Sequence, residues 1–240
     1  TYGLDRKWTA VGFLGRVNYN ILDRYLIQAN IRIDGSSKFN KDNRWGYFPS
    51  ASVGWKFSSE SFMADQTWLS LGKIRVGWGK LGNNRIDELA RYTYLTTRLN
   101  YPFGQGNHIL QPGASALTIG NDDIKWEKTE TFNVGLDMAI LNNTLQFGVE
   151  YFNKKTSDML IAVPTVGSAG LNVNPMTNAG NVRNYGVEAN LTYRNRIGAV
   201  DFDLGFNFSW IKNEVTSLGT GNEPIYGAYT GEGSIVDYIT

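Results

Sequence analysis

The alternation of apolar and polar residues is clearest in Tyr25-Leu26-Ile27-Gln28-Ala29-Asn30-Ile31-Arg32-Ile33-Asp34. Apart from Leu26, every second side chain is apolar and the side chains between them are polar. A period of two is typical of a β-strand whose two faces meet different surroundings. The same pattern recurs at residues 200–211, where an aromatic row opposes a polar one. The chain is therefore interpreted as a set of strands.

Weaker versions of this alternation occur in six further segments, which brings the number of predicted strands to eight. The strands are expected near residues 9–20, 24–34, 45–57, 72–80, 126–140, 144–153, 184–195 and 200–211. Tight turns alternate with long loops, and the long loops are expected at 35–43, 81–125, 154–183 and 212–240. A very long structureless connection is unusual in a compact soluble domain. Short turns at one end and long loops at the other are typical of outer-membrane barrels.

The composition also favours a sheet with one side in lipid. Aromatic residues make up 13% of the chain, yet the mean hydropathy is −0.30. A transmembrane barrel explains both values, because it places aromatic side chains in lipid and polar side chains inside. A soluble β-sandwich or propeller is the alternative, but it would have to carry long loops at both ends. The predicted fold is all-β, an antiparallel transmembrane β-barrel wall.

Other classes of protein receive little support from the composition. The net charge of +1 gives no reason to expect a nucleic acid partner. The chain has no Cys and a single His, His108, so we expect no disulfide, no metal site and no cofactor. No run approaches the roughly 20 apolar residues that a membrane-spanning helix requires. Both chain ends are interpreted as truncations.

Several blocks of sequence resemble one bacterial family. The first blocks are Phe13-Leu14-Gly15-Arg16-Val17-Asn18-Tyr19, Asp34-Gly35-Ser36-Ser37-Lys38-Phe39 and Asn43-Arg44-Trp45-Gly46-Tyr47-Phe48-Pro49-Ser50-Ala51. Later blocks are Ile124-Lys125-Trp126-Glu127-Lys128-Thr129-Glu130 and Asn184-Tyr185-Gly186-Val187-Glu188. In this order the blocks are similar to the C-terminal barrel region of SusC/RagA-type TonB-linked (TonB-dependent) outer-membrane transporters.

The resemblance implies a barrel of roughly 22 strands filled by a plug, and the plug domain is absent from this chain. It also implies coupling to TonB through the missing N-terminal region and a SusD-like surface lipoprotein as partner. The implied function is uptake of oligosaccharides or peptides across the outer membrane of a Gram-negative bacterium. Two alternatives stay open: a small eight-strand anchor or adhesin barrel, and a SusC-like barrel recruited into a secretion or surface-assembly complex.

Three groups of residues are candidates for function. The polar row that is predicted to face the lumen consists of Arg16, Asn18, Asn30, Arg32, Asp34, Asp137, Glu150, Glu188, Arg194, Asp201 and Asp203. Loop aromatic residues, which can stack on sugar rings or anchor a protein interface, are Tyr92, Tyr94, Tyr101, Phe103, His108, Tyr226 and Tyr229. The family block, interpreted as mainly structural, contains Asp34, Gly35, Ser36, Ser37, Phe39, Arg44, Trp45, Gly46, Phe48 and Pro49.

No catalytic residue is predicted. Ser70-Leu71-Gly72-Lys73 matches an S-x-x-K pattern, but it leads into a predicted strand and lacks the partner motifs. Asp122 and Asp123 have incomplete ligand spacing for calcium. We therefore expect a membrane transport protein and not an enzyme.

Overall fold

The computed structural model describes residues 7–103, 109–163, 165, 168, 170–171 and 173–219 of the 240-residue chain. The strands are β1 (Ala10–Ile21), β2 (Tyr25–Ser36), β3 (Trp45–Trp55), β4 (Leu69–Asn83), β5 (Tyr94–Phe103), β6 (Ile109–Thr118), β7 (Glu127–Ile140), β8 (Leu145–Ala162), β9 (Met176–Ile197) and β10 (Val200–Leu218). Two short 3-10 turns, Phe57–Ser59 and Ser61–Met63, lie between β3 and β4. Across the described residues, no helix has the length and apolarity to cross a membrane.

Eight of the strands form one antiparallel sheet in the order β1-β2-β3-β4-β7-β8-β9-β10. Strands β5 and β6 form a separate hairpin between β4 and β7. Strands β1 and β10 are the opposite edges of the large sheet, and no ladder joins them within the described residues. The all-β, antiparallel prediction is confirmed, and the sheet is an open wall.

The tight turns all lie at one end of the sheet. Leu22 and Asp23 have φ values of +52° and +55°, and the Arg24 N–H donates to the Ile21 carbonyl at 3.0 Å. Two successive left-handed residues form the turn type whose twist matches that of paired strands. Residues 141–143 of the β7–β8 turn also have positive φ, as does Gly198 between β9 and β10. The three tight turns predicted from the sequence are present.

At the loop end, the strands extend further than the alternation predicted. Strand β8 ends at Ala162 and not at 153, β9 begins at Met176 and not at 184, and β10 continues to Leu218 and not to 211. The predicted loops 154–183 and 212–240 are therefore partly strand. Alternation requires two faces in different surroundings, whereas ladder hydrogen bonds do not. The backbone pairing consequently continues after the alternation has stopped.

The prediction of a structureless loop at 81–125 is also wrong. Strand β4 continues to Asn83, and the β5–β6 hairpin occupies much of the remainder. The hairpin ladder contains two register shifts, and Pro102 and Pro112 both lie in it. Each register shift moves later side chains out of the regular alternation. The hairpin therefore shows no clean period of two in the sequence.

A cluster of buried apolar side chains lies at the loop end of the sheet. Its five buried side chains, called the loop core, are Phe39, Phe48, Ile86, Ile124 and Trp126. The Trp126 ring centroid lies 5.0 Å from that of Phe39 and 5.5 Å from that of Phe48. These residues come from the β2–β3 connection, from β3 itself and from the β4–β7 connection. The loop core thus joins segments that are distant in sequence.

Side-chain hydrogen bonds to backbone carbonyls fasten the same connections together. Lys38 Nζ donates to the Ile86 carbonyl at 2.9 Å, and Asn40 Nδ2 donates to the Asp122 carbonyl at 2.7 Å. Both bonds tie the β2–β3 connection to the β4–β7 connection. The long connections therefore form a folded layer on the wall, held by apolar packing and by polar contacts.

Candidate functional site

The strand registers place all eleven predicted lumen residues on one face of the large sheet. Direct cross-strand partners point to the same side of a sheet. The register is unbroken along the parts of the ladders that contain these residues, so their faces can be followed from strand to strand. Arg16 pairs with Asn30 at one edge, and Arg194 pairs with Asp203 at the other. This polar face carries Arg16, Asn18, Asn30, Arg32, Asp34, Asp137, Glu150, Glu188, Arg194, Asp201 and Asp203.

Arg75 on β4 is the centre of an ion-pair network on the polar face. Its Nε lies 3.1 Å from Asp137 Oδ2 on β7, and its Nη1 forms an ion pair with Glu150 on β8. Lys73 Nζ lies 3.6 Å from the same Asp137 carboxylate. Asn133 Nδ2 donates to Glu150 Oε1 at 2.9 Å. One guanidinium thus links three neighbouring strands.

A glycine makes this long reach possible. Gly135 on β7 is the direct cross-strand partner of Arg75 on one side and of Glu150 on the other. A Cβ atom at Gly135 would lie 2.7 Å from Arg75 Cζ, which is closer than real Cβ contacts allow. Because β7 has no side chain at this point, the Arg75 guanidinium can lie across it and bind Glu150.

Lys73 and Arg75 also lie on the polar face, but they are not among the residues predicted to face the lumen. A signal was present, because both alternate with the apolar residues Ile74 and Val76 along β4. The network also leaves one carboxylate uncompensated. Glu188 on β9 lies directly opposite Glu150, and it forms no ion pair with any other described residue.

Some other charged residues of the polar face form ion pairs outside this network. Arg32 Nε lies 2.6 Å from Asp34 Oδ2, and Arg194 Nε lies 2.5 Å from Asp203 Oδ2. The side chains of the second pair are 60% and 53% exposed. Exposed pairs of this kind contribute about 0–1 kcal/mol each to stability. The Arg75 network is better buried than the Arg194–Asp203 pair.

The middle part of the opposite face of the wall is apolar on all eight strands of the sheet. Its exposed side chains, called the apolar face, include Val17, Tyr19, Ile27, Ile31, Val53, Val76, Trp78, Val134, Val149, Tyr151, Leu191, Phe206, Phe208 and Trp210. An exposed apolar surface of this extent marks a contact with lipid or with protein. Aromatic residues lie towards both limits of the surface, with Tyr25 and Trp55 at the turn end and Trp78 and Tyr185 at the loop end. Such aromatic belts are typical of surfaces that cross a membrane.

Most polar members of the family block bond within the protein. The Ser36 N–H donates to the Arg44 carbonyl at 3.1 Å, and Ser37 Oγ accepts the Thr9 N–H at 2.9 Å. The Arg44 carbonyl also accepts the Trp126 indole N–H at 3.2 Å. Asp34 pairs with Arg32 on the polar face, as described above.

The other members of the block pack against aromatic rings or end a ladder. Phe39 and Phe48 belong to the loop core, whereas Trp45 stacks on Phe13 on the apolar face with ring centroids 6.5 Å apart. Gly46 lies against the Phe48 ring, and Gly35 lies against the Trp45 ring. The β3–β4 ladder stops at Ser50, immediately after Pro49, which has no N–H to donate.

The loop aromatic residues are not gathered into one site. Tyr92 is 50% exposed and lies under the Arg91 guanidinium, 4.7 Å from it. Tyr94 and Tyr101 are both exposed on β5, seven positions apart, or about 23 Å along the strand. Phe103 is the last residue of β5. The predicted residues His108, Tyr226 and Tyr229 lie outside the described residues.

A carboxylate at the turn end joins the β3–β4 connection to β2 and β3. Glu60, between the two 3-10 turns, accepts hydrogen bonds from the Trp55 indole at 3.1 Å and from the Tyr25 hydroxyl at 2.8 Å. Its other oxygen lies 3.1 Å from Arg24 Nη1. The hydrogen bond from Trp55, followed by that from Tyr25, holds the pKa of Glu60 below its ordinary value.

A two-faced antiparallel sheet with turns at one end and a folded loop layer at the other defines the wall of a transmembrane β-barrel. Comparison with known proteins gives the family. Residues 2–236 match the family model described as TonB dependent receptor-like, beta-barrel. The chain therefore belongs to the TonB-dependent receptor β-barrel family, and it is a fragment of such a barrel.

Among curated relatives, the chain is 38% identical to the TonB-dependent receptor SusC of Bacteroides thetaiotaomicron, over 93% of this chain and 22% of that protein. It is 33% identical to the TonB-dependent receptor P39 of Formosa agariphila, over 91% of this chain and 20% of that protein. Among solved structures, the RagAB peptide importer in its open-open state matches with a TM-score of 0.79 and 28% identity, over 93% of this chain and 24% of that one. The chain thus spans about a fifth of the curated relatives it matches, and the SusC/RagA resemblance is confirmed.

Replacing Glu60 with glutamine is expected to lower stability more near neutral pH than in acid. The ordinary pKa of this carboxyl group is 4.5, and its pKa in the folded protein is lower. The carboxylate therefore stabilises the folded state fully above the ordinary pKa. It loses this contribution as the pH falls through the folded pKa. The measurement is the urea midpoint of the complete receptor in detergent micelles at about pH 7 and about pH 3. An equal difference between the two proteins at both pH values would contradict the prediction.

Proposed function

We propose that this chain forms part of the wall of a plugged, TonB-coupled barrel that imports oligosaccharides or peptides through a Gram-negative outer membrane. A SusD-like surface lipoprotein is the proposed partner that delivers the substrate. The observation that carries the proposal is the two-faced wall: an ion-paired polar face centred on Arg75 opposes a continuous apolar face in a member of this receptor family. Lipid contacts the apolar face, and the polar face lines the lumen.

In this proposal the polar face serves mainly as a contact surface for the plug. Glu188 and Glu150 are direct cross-strand partners, and two like charges in that position repel each other. Of these two carboxylates, Arg75 compensates only Glu150. A basic side chain of the plug would complete the network by pairing with Glu188. The same face stays wetted where the plug does not reach.

The substrate and the lipoprotein are assigned to the loop end. Tyr92, Tyr94 and Tyr101 are exposed there, and Tyr ring faces stack on sugars or anchor peptide and protein contacts. The matched RagAB structure is that of a peptide importer, which supports a peptide as one of the two substrate classes.

The decisive test is uptake by the complete receptor in its own outer membrane. We expect deletion of the receptor to abolish uptake of one labelled oligosaccharide or peptide, and loss of TonB to have the same effect. We also expect a surface lipoprotein to co-purify with the receptor in mild detergent. Normal uptake of every tested substrate without the receptor, combined with co-purification of secretion or surface-assembly components, would instead favour a recruited structural role.

The open sheet argues against the small eight-strand barrel. In the described chain, β1 and β10 are opposite edges and no ladder joins them, whereas an eight-strand barrel requires its first and last strands to pair. A heat-modifiable species in the outer membrane with the mass of an eight-strand barrel would instead support this alternative.

Replacing Tyr94 or Tyr101 with alanine is expected to raise the substrate concentration for half-maximal uptake about fivefold, because each substitution removes one stacking ring. Phenylalanine at the same positions keeps the ring face and should leave uptake unchanged. The measurement is the concentration dependence of labelled substrate uptake by cells with equal receptor levels. Equal uptake by the alanine and phenylalanine variants would remove these residues from the substrate path.

A further inference from the structure

We propose that the wall carries a binding site for the phosphorylated headgroup of an outer-leaflet lipid, formed by Lys155, Arg183 and Lys212. The proposal rests on the barrel orientation described under the proposed function. The three cations, called the basic patch, lie on the apolar-face side of three neighbouring strands at the loop end. No part of the proposed uptake mechanism uses them.

The registers establish that these side chains are neighbours. Lys155 on β8 is the direct cross-strand partner of Arg183 on β9. Lys212 on β10 is the direct partner of Tyr185, which lies two positions after Arg183 on the same face. Neighbouring strands are about 4.8 Å apart, so one phosphate group can reach all three cations.

The local charge pattern favours the binding of an anion. Lys155 and Arg183 are like charges in direct opposition, which is unfavourable without a counter-ion. Two carboxylates adjoin the patch in the same row, Glu130 opposite Lys155 and Glu214 opposite Arg183. Glu130 accepts a hydrogen bond from the Trp78 indole at 2.7 Å and lies 3.9 Å from Lys80 Nζ, both on β4, away from Lys155. Glu214 forms no ion pair with a described residue. The three cations of the patch outnumber these two carboxylates, so the group keeps a net positive charge.

The patch lies where a lipid headgroup would be. The Arg183 guanidinium lies 5.0 Å, and the Lys212 ammonium 5.9 Å, from the centroid of the Tyr185 ring. Trp210 packs edge-on against the same ring at 6.3 Å and is exposed on the apolar face. Aromatic residues of this kind occupy the headgroup level of a membrane. Acyl chains would cover the apolar face below, and the headgroup phosphate would bind the cations above.

Strand β8 offers a matched control. Lys154 is adjacent to Lys155 and also exposed, but its side chain is on the polar face, where its direct partners are Thr131 and Asn184. Neither lysine forms an ion pair with a described residue. The same substitution at either lysine changes the net charge and the strand propensity equally. The two positions are adjacent on β8 and differ only in the face of the sheet on which the side chain lies.

The test measures lipid binding to the complete receptor by native mass spectrometry. The probes are dioleoyl phosphatidic acid, whose headgroup is a phosphomonoester, and dioleoyl phosphatidylcholine, which has the same acyl chains and no net charge. Because each basic residue near an anionic lipid surface contributes about a fivefold factor in affinity, K155Q should weaken the tightest phosphatidic acid site about fivefold, and K155Q/K212Q about 30-fold. K154Q should leave that site unchanged, and phosphatidylcholine binding should be the same in all variants.

Any of the following results would contradict the proposed lipid site. An equal loss in K154Q would show a general charge effect, and an equal loss of phosphatidylcholine would show acyl-chain binding without headgroup recognition. Loss of a co-purifying protein in place of lipid would make the patch a protein interface. All variants are first checked for heat-modifiable migration, which reports an intact barrel. A heat-modifiable receptor without the lipid effect contradicts the basic patch alone, whereas loss of heat-modifiability in the unmodified receptor contradicts the barrel proposal itself.

Discussion

Replacing Arg75 with methionine is expected to lower the free energy of unfolding of the receptor barrel by about 2 kcal/mol. The substitution removes the cation that binds both Asp137 and Glu150. It leaves two carboxylates close together on neighbouring strands. Among the described residues, Lys73 is then the only cation paired with either of them, at 3.6 Å from Asp137. Loss of one partner from a buried pair costs more than this, but the Arg75 side chain is 34% exposed and water screens part of the effect.

The measurement is denaturant unfolding of the complete receptor in detergent micelles, followed by tryptophan fluorescence. Arg194→Met is the matched control, because Arg194 is on the same face and pairs with Asp203, but both side chains are more than half exposed. The control should cost less than about 1 kcal/mol. Equal changes in the two variants would show that the Arg75 network is no more important than a surface ion pair.

Adding Glu150→Gln to Arg75→Met gives a further check of the same network. If the cost of losing Arg75 arises from repulsion between carboxylates, neutralising Glu150 should recover part of it. Non-additivity of this kind is expected for residues in direct contact. Full additivity of the two substitutions would instead place the cost of Arg75→Met in poorer packing.

The faces of the wall could be predicted from sequence because lipid and lumen impose opposite chemistry on successive residues. Asn30 and Arg32 are typical: their positions between Ile31 and Ile33 assign them to the polar side, and the registers place them there. Arg75 lies in a strand with glycines at 72, 77 and 79, so its alternation rests on few side chains. Its partners could not be predicted, because they depend on a register between strands that a long connection separates.

The folded loop layer could not be predicted for a different reason. Phe39, Ile86 and Ile124 meet in space but are far apart in the sequence, and no periodicity relates them. The alternation also ends where β8 continues past 153, because the strand there no longer separates two surroundings. The family block did contain Phe39 and Phe48, but sequence alone did not show that Trp126 joins them.

Replacing Trp126 with alanine is expected to unfold the loop layer and leave the wall intact. Truncation of a buried Trp costs about 3–5 kcal/mol, and Trp126 packs on the Phe39 and Phe48 rings while its indole donates to the Arg44 carbonyl. The strands are held by their own ladders, so the loss should stay local. If the local opening free energy of the loop layer falls by about 3 kcal/mol, amide hydrogen exchange in segments 36–48 and 84–92 should accelerate more than 100-fold.

Trp68→Ala is the matched control, since Trp68 is 47% exposed at the turn end and its indole donates only to Gln66 among the described residues. Exchange in the two loop segments should be unchanged in this variant, and both variants should remain heat-modifiable. Slow exchange in the loop segments of Trp126→Ala would show that polar contacts such as that of Lys38 with the Ile86 carbonyl hold the layer without the rings. Loss of heat-modifiability in that variant would show that the loop core supports the barrel itself. If the wall stays intact and uptake is abolished, the folded loop layer is needed for uptake.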